Sequence, residues 1–196
     1  MPGPAFLVAI LLFSASASAA EIALSNPDFE EPMVGKRIPG WSRTQHAGVR
    51  AYEIATDTES FAKGKSSIRM LRTTEQAYGL ISQQVETPDL GGKPVELIAA
   101  LKGKDVGKKG WVMVLTFNHH SNILDQVRAE PVTGDSEWTD VVIRKTAPPA
   151  TSHIEIGFML LDGGAGWADN VRLRTTEGEG SSVQADEMAP EDSADG

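Results

Sequence analysis

The chain has 196 residues, 40% of them hydrophobic, which is enough for one domain with its own core. It contains no cysteine, so disulfides are excluded as a source of stability. The formal net charge of -9 argues against a nucleic-acid partner, because neutralising phosphates requires clustered Lys and Arg.

The N-terminal segment has the pattern of a secretory signal. Residues 5–13 are all apolar, and small residues follow, with Ala-Ser-Ala at 17–19 and Ser-Ala-Ala at 18–20 both fitting a signal-peptidase site. The apolar run is shorter than the roughly 20 residues of a membrane-spanning helix. No Lys or Arg precedes the run, which departs from the usual pattern, and a buried N-terminal helix is the alternative. We expect residues 1–20 to be a cleaved signal peptide, with no membrane span, and the protein to be secreted or periplasmic.

From residue 21 to residue 175 the sequence is a succession of short strand-like stretches separated by Gly, Pro, Asp and Asn. The stretches with alternating or continuous apolar residues are 49–55, 67–72, 78–86, 95–101, 111–117, 141–144 and 154–160. Both faces of residues 111–117 are apolar, which predicts a central strand that is covered on both sides. The absence of an amphipathic helical pattern predicts an all-β domain, folded as an antiparallel β-sandwich or jelly roll.

The last segment, residues 176–196, contains seven acidic residues and no basic residue. Almost nothing in it is apolar, so it lacks the surface that would have to be buried to offset the entropy of ordering. We expect a disordered acidic tail that solvates the chain, with docking of a basic partner as the alternative.

Several short motifs form an ordered series along the chain. They are Asn-Pro-Asp-Phe-Glu at 26–30, Gly-Trp at 40–41, Gly-Lys-Ser-Ser-Ile at 64–68, Gln-Gln-Val at 83–85, Gly-Asp-Ser-Glu-Trp at 134–138, Ile-Glu-Ile-Gly at 154–157 and Gly-Trp-Ala-Asp-Asn-Val at 166–171. In order and spacing this series resembles the galactose-binding-like jelly rolls, which include the carbohydrate-binding modules of families four, nine and twenty-two. The resemblance implies an exported, non-catalytic protein that binds a polysaccharide or oligosaccharide. Acidic motifs near both ends further suggest that the two ends of the domain lie side by side.

The resemblance also implies a structural calcium ion that ties the first and last strands together. Carried over to this sequence, it assigns as ligands the carboxylates of Glu30, with Asp28 as second choice, and of Asp169, with backbone carbonyls near Lys63 and Ser66. Hard oxygen ligands of this kind suit calcium. The alternative is that these carboxylates are solvated at strand ends.

A sugar site of this kind combines an aromatic ring that stacks on the sugar with polar groups that bond its hydroxyls. Trp41, Trp138 and Trp167 match positions that pack the sandwich, which leaves Trp111 and Tyr78 as candidate stacking rings. The candidate polar groups are Arg72, Gln84, Asn118 and His120. For Trp111 the open alternative is that its ring caps the core, and for the polar groups it is that they are solvated strand positions.

Two other classes of function stay open. Catalysis lacks a sequence signature, because the chain has no Gly-x-Ser-x-Gly elbow, no His-Glu-x-x-His and no phosphate loop. A small polysaccharide lyase or hydrolase would instead need titratable side chains that the fold brings together. A protein-interaction or structural module of the cell envelope would have a cleft filled by side chains such as Met70 and Met113.

Overall fold

The computed structural model describes residues 19–46 and 48–176, and in this part of the chain all regular secondary structure is β-strand. The strands are β1 (Ala20–Glu21), β2 (Ser42–Gln45), β3 (Tyr52–Asp57), β4 (Ser67–Arg72), β5 (Gly79–Glu86), β6 (Pro94–His119), β7 (Asn122–Arg128), β8 (Val132–Thr146), β9 (His153–Leu160) and β10 (Ala165–Thr175). The described residues contain no helix long and apolar enough to cross a membrane. The predicted tail from residue 177 onward and residues 1–18 of the predicted signal peptide lie outside the described residues.

The strands form two layers, and every pair within them is antiparallel. The front sheet has the order β2-β5-β9-β6-β7, with residues 111–119 as its part of β6. The back sheet has the order β3-β4-β10-β6-β8, with residues 94–104 as its part of β6 and β1 added to the end of β10. The predicted antiparallel β-sandwich with jelly-roll architecture is confirmed.

Strand β6 connects the two sheets, because it crosses from the back sheet to the front sheet without ending. The sequence predicts two strands here, at 95–101 and 111–117, with a break between them. The structure instead turns the strand at Asp105 and Gly110, whose φ angles are +53° and +84°, and pairing with β8 continues through the bend. Gly110 supplies a backbone angle that residues with a side chain rarely adopt. The front part lies between β9 and β7, as expected of an interior strand.

The core fills the space between the sheets. Along β9, Ile154, Ile156, Phe158 and Leu160 all point inward and are at most 1% exposed, because successive residues of a strand face opposite sides. Full burial of each such side chain contributes about 1.5–3 kcal/mol to folding. Met70 and Met113 are also fully buried in this core.

The two ends of the domain lie side by side, but the segment that carries Glu30 is not a strand. Ala20 and Glu21 pair with the end of β10, and the amide of Val171 donates to the carbonyl of Pro27. Residues 26–30 form a turn, in which Asn26 and Phe29 have φ angles of +46° and +52°. The Asn26 side chain holds this turn by accepting from the Glu31 amide at 3.0 Å.

Candidate functional site

The face of the front sheet that points away from the core, called the outer face below, carries a contiguous set of polar side chains. Since Ile154, Ile156 and Phe158 point inward, Glu155 and Gly157 belong to the outer face. The strand register places Gln84 opposite Glu155 on one side and Thr116 opposite Glu155 on the other. The neighbouring strand adds Gln126, whose side-chain amide donates to the Thr116 hydroxyl at 3.1 Å. Four adjacent strands therefore contribute to one polar row.

A shallow depression of about 40 Å³ lies beside this row, at Gly157. Its lining includes Leu80, Ser82, Val114, Thr116, Gln126, Glu155 and Met159. A Cβ atom on Gly157 would lie 2.9 Å from the Ile81 carbonyl oxygen and 2.9 Å from Leu80 Cδ1, so a larger residue would crowd the sheet. The glycine keeps the floor of the outer face open at this point.

The other half of the outer face is apolar. Val112, Val114 and Met159 form a small buried cluster, separate from the main core, against which Tyr78 and Leu80 pack. Tyr78 is half-buried, and its ring lies edge-on to the ring of His46, with centroids 5.9 Å apart. Residues 111–117 are therefore apolar on both sides for two different reasons. One side enters the core, and the other packs against side chains of the outer face, over which none of the described strands forms a second layer.

Of the predicted ligand-binding residues, Gln84, Asn118 and Tyr78 are placed on or beside the outer face. Gln84 lies in the polar row and donates to Glu86 at 3.0 Å, and Asn118 lies one row further along, opposite His153. Asn118 is 8% exposed, so little of its side chain is accessible. The sequence pattern alone did not separate these three residues from the other candidates.

Trp111 does not lie on the outer face, which corrects its assignment as a stacking ring. Its side chain is 0% exposed, and its ring stacks on Phe158 with centroids 5.9 Å apart. Its Nε1 donates to the carbonyl of Trp167 at 2.9 Å, which satisfies the polar atom inside the core. Gly166 lies against the indole, so even a Cβ there would overlap the ring. Trp111 is a core residue because its position on β6 faces the back sheet.

Arg72 and His120 are also placed elsewhere. Arg72 belongs to β4 of the back sheet, where it pairs with Asp162 at 3.2 Å and donates to the Gln76 carbonyl at 3.2 Å. His120 follows the last residue of β6 in the turn before β7, with a φ angle of +51°. Its ring lies against that of His119, with centroids 4.2 Å apart. The strand ends before His120, so His120 does not extend the strand face that carries Asn118.

The predicted metal ligands meet at the loop that precedes β4. Asp169 Oδ2 accepts from the amides of Ala62 and Lys63 at 2.8 and 2.9 Å, and Glu30 Oε1 accepts from the amides of Lys65 and Ser66 at 2.6 and 3.1 Å. Lys63 and Ser66 are thus brought to the two carboxylates, but the contacts they make there are through amide N–H groups. The structure shows amide donors at the positions where the resemblance implies carbonyl ligands.

The electrostatics of this pair bear on whether a cation fits. Asp169 is 0% exposed, and burial raises the pKa of its carboxyl group, with the nearby charge of Glu30 acting in the same direction. Within the described residues neither carboxylate has an ion pair with Lys, Arg or His, and no third acidic or His side chain completes a metal cluster. Two neighbouring carboxylates without a base match calcium in charge and in ligand type. Asp28, the second choice, accepts from the Glu30 amide at 3.4 Å and shapes the turn.

Sequence reasoning missed Glu155, Thr116, Gln126 and the role of Gly157. The sequence contains a pattern that places Glu155 and Gly157 on the outer face, because they alternate with the inward-facing residues of β9. Gln126 had no such pattern, because the apolar residues of β7 do not alternate and β7 was not predicted as a strand. Trp138, expected in the core, is only half-buried.

Comparison with known proteins was made at the levels of sequence and structure. No protein-family model matches the chain. The chain is 25% identical over 147 residues to the uncharacterized HTH-type transcriptional regulator YbfP of Bacillus subtilis (strain 168), an alignment that covers 72% of this chain and 50% of the regulator. The chain therefore spans about half the length of this curated relative.

Among solved structures, an apo-form cyclase from Fischerella sp. superposes with a TM-score of 0.63 at 17% identity, covering 84% of this chain and 100% of the cyclase. The CBM22-1 xylan-binding domain of Paenibacillus barcinonensis Xyn10C superposes with a TM-score of 0.56 at 16% identity, covering 84% of this chain and 99% of that domain. At such identities these likenesses establish the fold alone. The strand topology and these likenesses together show that the chain folds as a jelly-roll β-sandwich similar to that of the xylan-binding domain.

Proposed function

We propose that the protein binds a polysaccharide or oligosaccharide on the outer face of its front sheet and does not cleave it. One observation carries this proposal: the depression at Gly157 joins an apolar patch to a row of hydroxyl, amide and carboxylate groups. A sugar ring presents C–H groups on its faces and hydroxyls at its rim, so it matches both halves of this surface. The xylan-binding structural neighbour supports the same reading.

Each half of the outer face has a defined role in this proposal. The half-buried ring of Tyr78, which packs against the apolar cluster, supplies a flat surface for a sugar face. Glu155 accepts hydrogen bonds from sugar hydroxyls, and the amide of Gln84 donates and accepts them. Thr116 and Gln126 are bonded to each other and keep the floor of the row in place.

We base the proposal that the protein is not an enzyme on the positions of those described carboxylates whose pKa values are shifted. A catalytic site combines titratable groups whose pKa values are shifted by burial and by neighbouring charge. Asp57, Glu96, Asp125, Asp162 and Asp169 have shifted pKa values, and none of them lines the depression. Burial raises the pKa of Asp169. In the other four carboxyl groups burial is outweighed by partners that lower the pKa and hold the fold together, such as Trp167 for Asp57 and Arg174 for Glu96.

We further propose that the protein is exported and that calcium binds between Glu30 and Asp169. In this role Glu30 and Asp169 would hold the ion, which would neutralise their charges and fasten the loop before β4 to β10. Export would be tested by determining the N-terminal residue of protein recovered outside the cytoplasm, which is expected to be Ala20 or Glu21. An N-terminus at Met1 would contradict the signal peptide.

Binding is tested by affinity electrophoresis of the full chain through gels that contain soluble xylan, galactan or β-glucan. We expect one polymer to retard the protein, and Tyr78→Ala and Glu155→Gln each to weaken that retardation about tenfold or more. Val142→Ala, a change at an exposed position of the back sheet, is the matched control and should migrate as the wild type.

If no neutral polymer retards the protein, the proposed function is wrong and the envelope interaction module becomes the better hypothesis. If retardation persists unchanged in both outer-face variants, the sugar binds elsewhere. Thermal unfolding of each variant separates loss of binding from loss of folding.

A further inference from the structure

A second cavity, of about 450 Å³, lies between β2 and β3, which are the edge strands of the two sheets. Its lining includes Lys36, Arg43, Gln45, Arg50, Tyr52 and Ile54. Three of these six residues are basic and none is acidic. This volume falls within the range of small-ligand pockets. We call this feature the edge cavity.

The basic residues that line the edge cavity lack a counter-ion among the described residues, whereas most of the other arginines have one. In the part of the chain that the structure describes, Lys36, Arg43 and Arg50 have no carboxylate within ion-pair distance. By contrast, each of the following arginines pairs with an acid: Arg69, Arg72, Arg144, Arg172 and Arg174. Three like charges converge on one cavity in a protein whose net charge is -9. Such an arrangement attracts an anion into the cavity.

Hydrogen bonds already hold the basic segments in position. Arg43 donates through one guanidinium nitrogen to the carbonyl of Lys36 at 3.2 Å, which joins β2 to the turn that carries Lys36. The Gln45 side chain donates to the Val49 carbonyl at 2.7 Å and accepts from the Ala51 amide at 3.1 Å. This bridge fixes the backbone on both sides of Arg50. A preformed site loses less entropy when a ligand binds.

The floor of the edge cavity is apolar and nearly closed to water. Tyr52 and Ile54 are 7% and 8% exposed and belong to the main core. Arg43 is half-buried beside this floor, so water screens its charge less than that of an exposed side chain. The floor also offers contact area to the carbon skeleton of a ligand.

We propose that the edge cavity binds the carboxylate of a uronic-acid unit in an acidic polysaccharide. The planar guanidinium groups of Arg43 and Arg50 suit bidentate bonds to a carboxylate, and Lys36 adds a third positive charge. The choice of a saccharide over other anions rests on the proposed function. The position of the cavity favours this choice, because the cavity adjoins the outer face at β2, where Thr44 pairs with Leu80. The site itself is separate from the depression at Gly157.

The test measures binding of the full chain to polygalacturonate, with galactan as the neutral counterpart, at low salt. We expect the double variant R43Q/R50Q to weaken binding of polygalacturonate about tenfold or more. The matched control K104Q/K108Q removes the same charge from exposed positions and is expected to stay within about twofold of the wild type, as an exposed charge contributes little. Binding of any neutral polymer should be the same in R43Q/R50Q as in the wild type.

Four outcomes would overturn the proposal. They are absence of binding to polygalacturonate, equal weakening by both double variants, binding of dextran sulfate without polygalacturonate, and equal binding of poly-glutamate. The second would indicate unspecific charge attraction, the third a sulfate site and the fourth an acidic-peptide site. Failure of the outer-face proposal is distinguishable, since it would appear as absence of binding to any neutral polymer, or as neutral-polymer binding that Tyr78→Ala and Glu155→Gln leave unchanged. Thermal unfolding of R43Q/R50Q provides the check on folding.

Discussion

Glu30 and Asp169, which lie near opposite ends of the domain in sequence, both bind the same short loop through its backbone amides. Asp169 holds the amides of residues 62 and 63, and Glu30 holds those of residues 65 and 66. The loop precedes β4, so the pair connects the N-terminal turn, the last strand and the back sheet. The first prediction concerns these two neighbouring carboxylates, of which Asp169 is buried.

We predict that the wild-type protein unfolds at a higher temperature in calcium than in EDTA. Asp169→Ala should abolish this difference, and it should also lower the free energy of unfolding by about 2–4 kcal/mol, because it removes a buried acceptor of three amide hydrogen bonds. Asp89→Ala, at an exposed carboxylate, serves as control. Identical melting of the wild type in calcium and EDTA would contradict the calcium proposal.

A second prediction concerns the contact between Gly166 and Trp111. Trp111→Ala should lower the free energy of unfolding by about 3–5 kcal/mol, as expected when a buried aromatic ring leaves a cavity. Gly166→Ala should also destabilise the fold, since its Cβ would overlap the indole. Urea unfolding followed by fluorescence measures both changes. Loss of sugar binding by Trp111→Ala with unchanged stability would show that the ring serves the ligand after all.

A third prediction uses Glu96, which is 2% exposed on the back sheet. Burial opposes ionisation of its carboxyl, but hydrogen bonds and charges from Arg174 and Arg144 outweigh burial and hold the pKa below the ordinary value. The stabilisation is therefore complete above the unfolded-state pKa of about 4.3 and is lost as the pH falls through the lower folded-state pKa.

Glu96→Gln should accordingly lower the free energy of unfolding at pH 7 by about 2–4 kcal/mol, because it removes the negative charge that two arginines share and replaces one acceptor oxygen with a donor amide. Below about pH 4 the variant and the wild type should become closer in stability. Urea unfolding across pH 3–7, with Glu130→Gln as the exposed control, measures this. A difference between Glu96→Gln and the wild type that does not change with pH would show that Glu96 acts by packing alone.

The fourth prediction concerns the depression itself. Gly157→Ala should lower the free energy of unfolding by about 1–3 kcal/mol, because its Cβ would lie 2.9 Å from the Ile81 carbonyl oxygen. At temperatures where the variant stays folded, its affinity for the polymer found with the wild type should also fall, since the added methyl group raises the floor. Isothermal titration at such a temperature checks the second effect. Unchanged affinity would place the ligand away from Gly157.

Sequence pattern alone predicted most of the strands, although it missed β7 and divided β6 into two. Along β9, the alternation of Ile154, Ile156 and Phe158 with polar or small residues decided which side is buried, because strand geometry has a period of two. The bounds of β4 match the predicted residues 67–72, and the predicted all-β sandwich was confirmed. The local sequence pattern was sufficient to predict these features, because each of them depends on residues that are close together in the chain.

The pairing of distant strands, and not local sequence pattern, determines which side chains share a surface. Trp111 follows a glycine-rich segment, a position from which its ring could enter either the core or a cleft, and the packing of Gly166 and Phe158 against it settles the matter. Gln126 joins Thr116 because β7 pairs with β6, and the bases of the edge cavity meet because β2 and β3 end their respective sheets. Pairings between distant strands set these contacts, and a sequence pattern with a period of two carries no information about which strands will be neighbours.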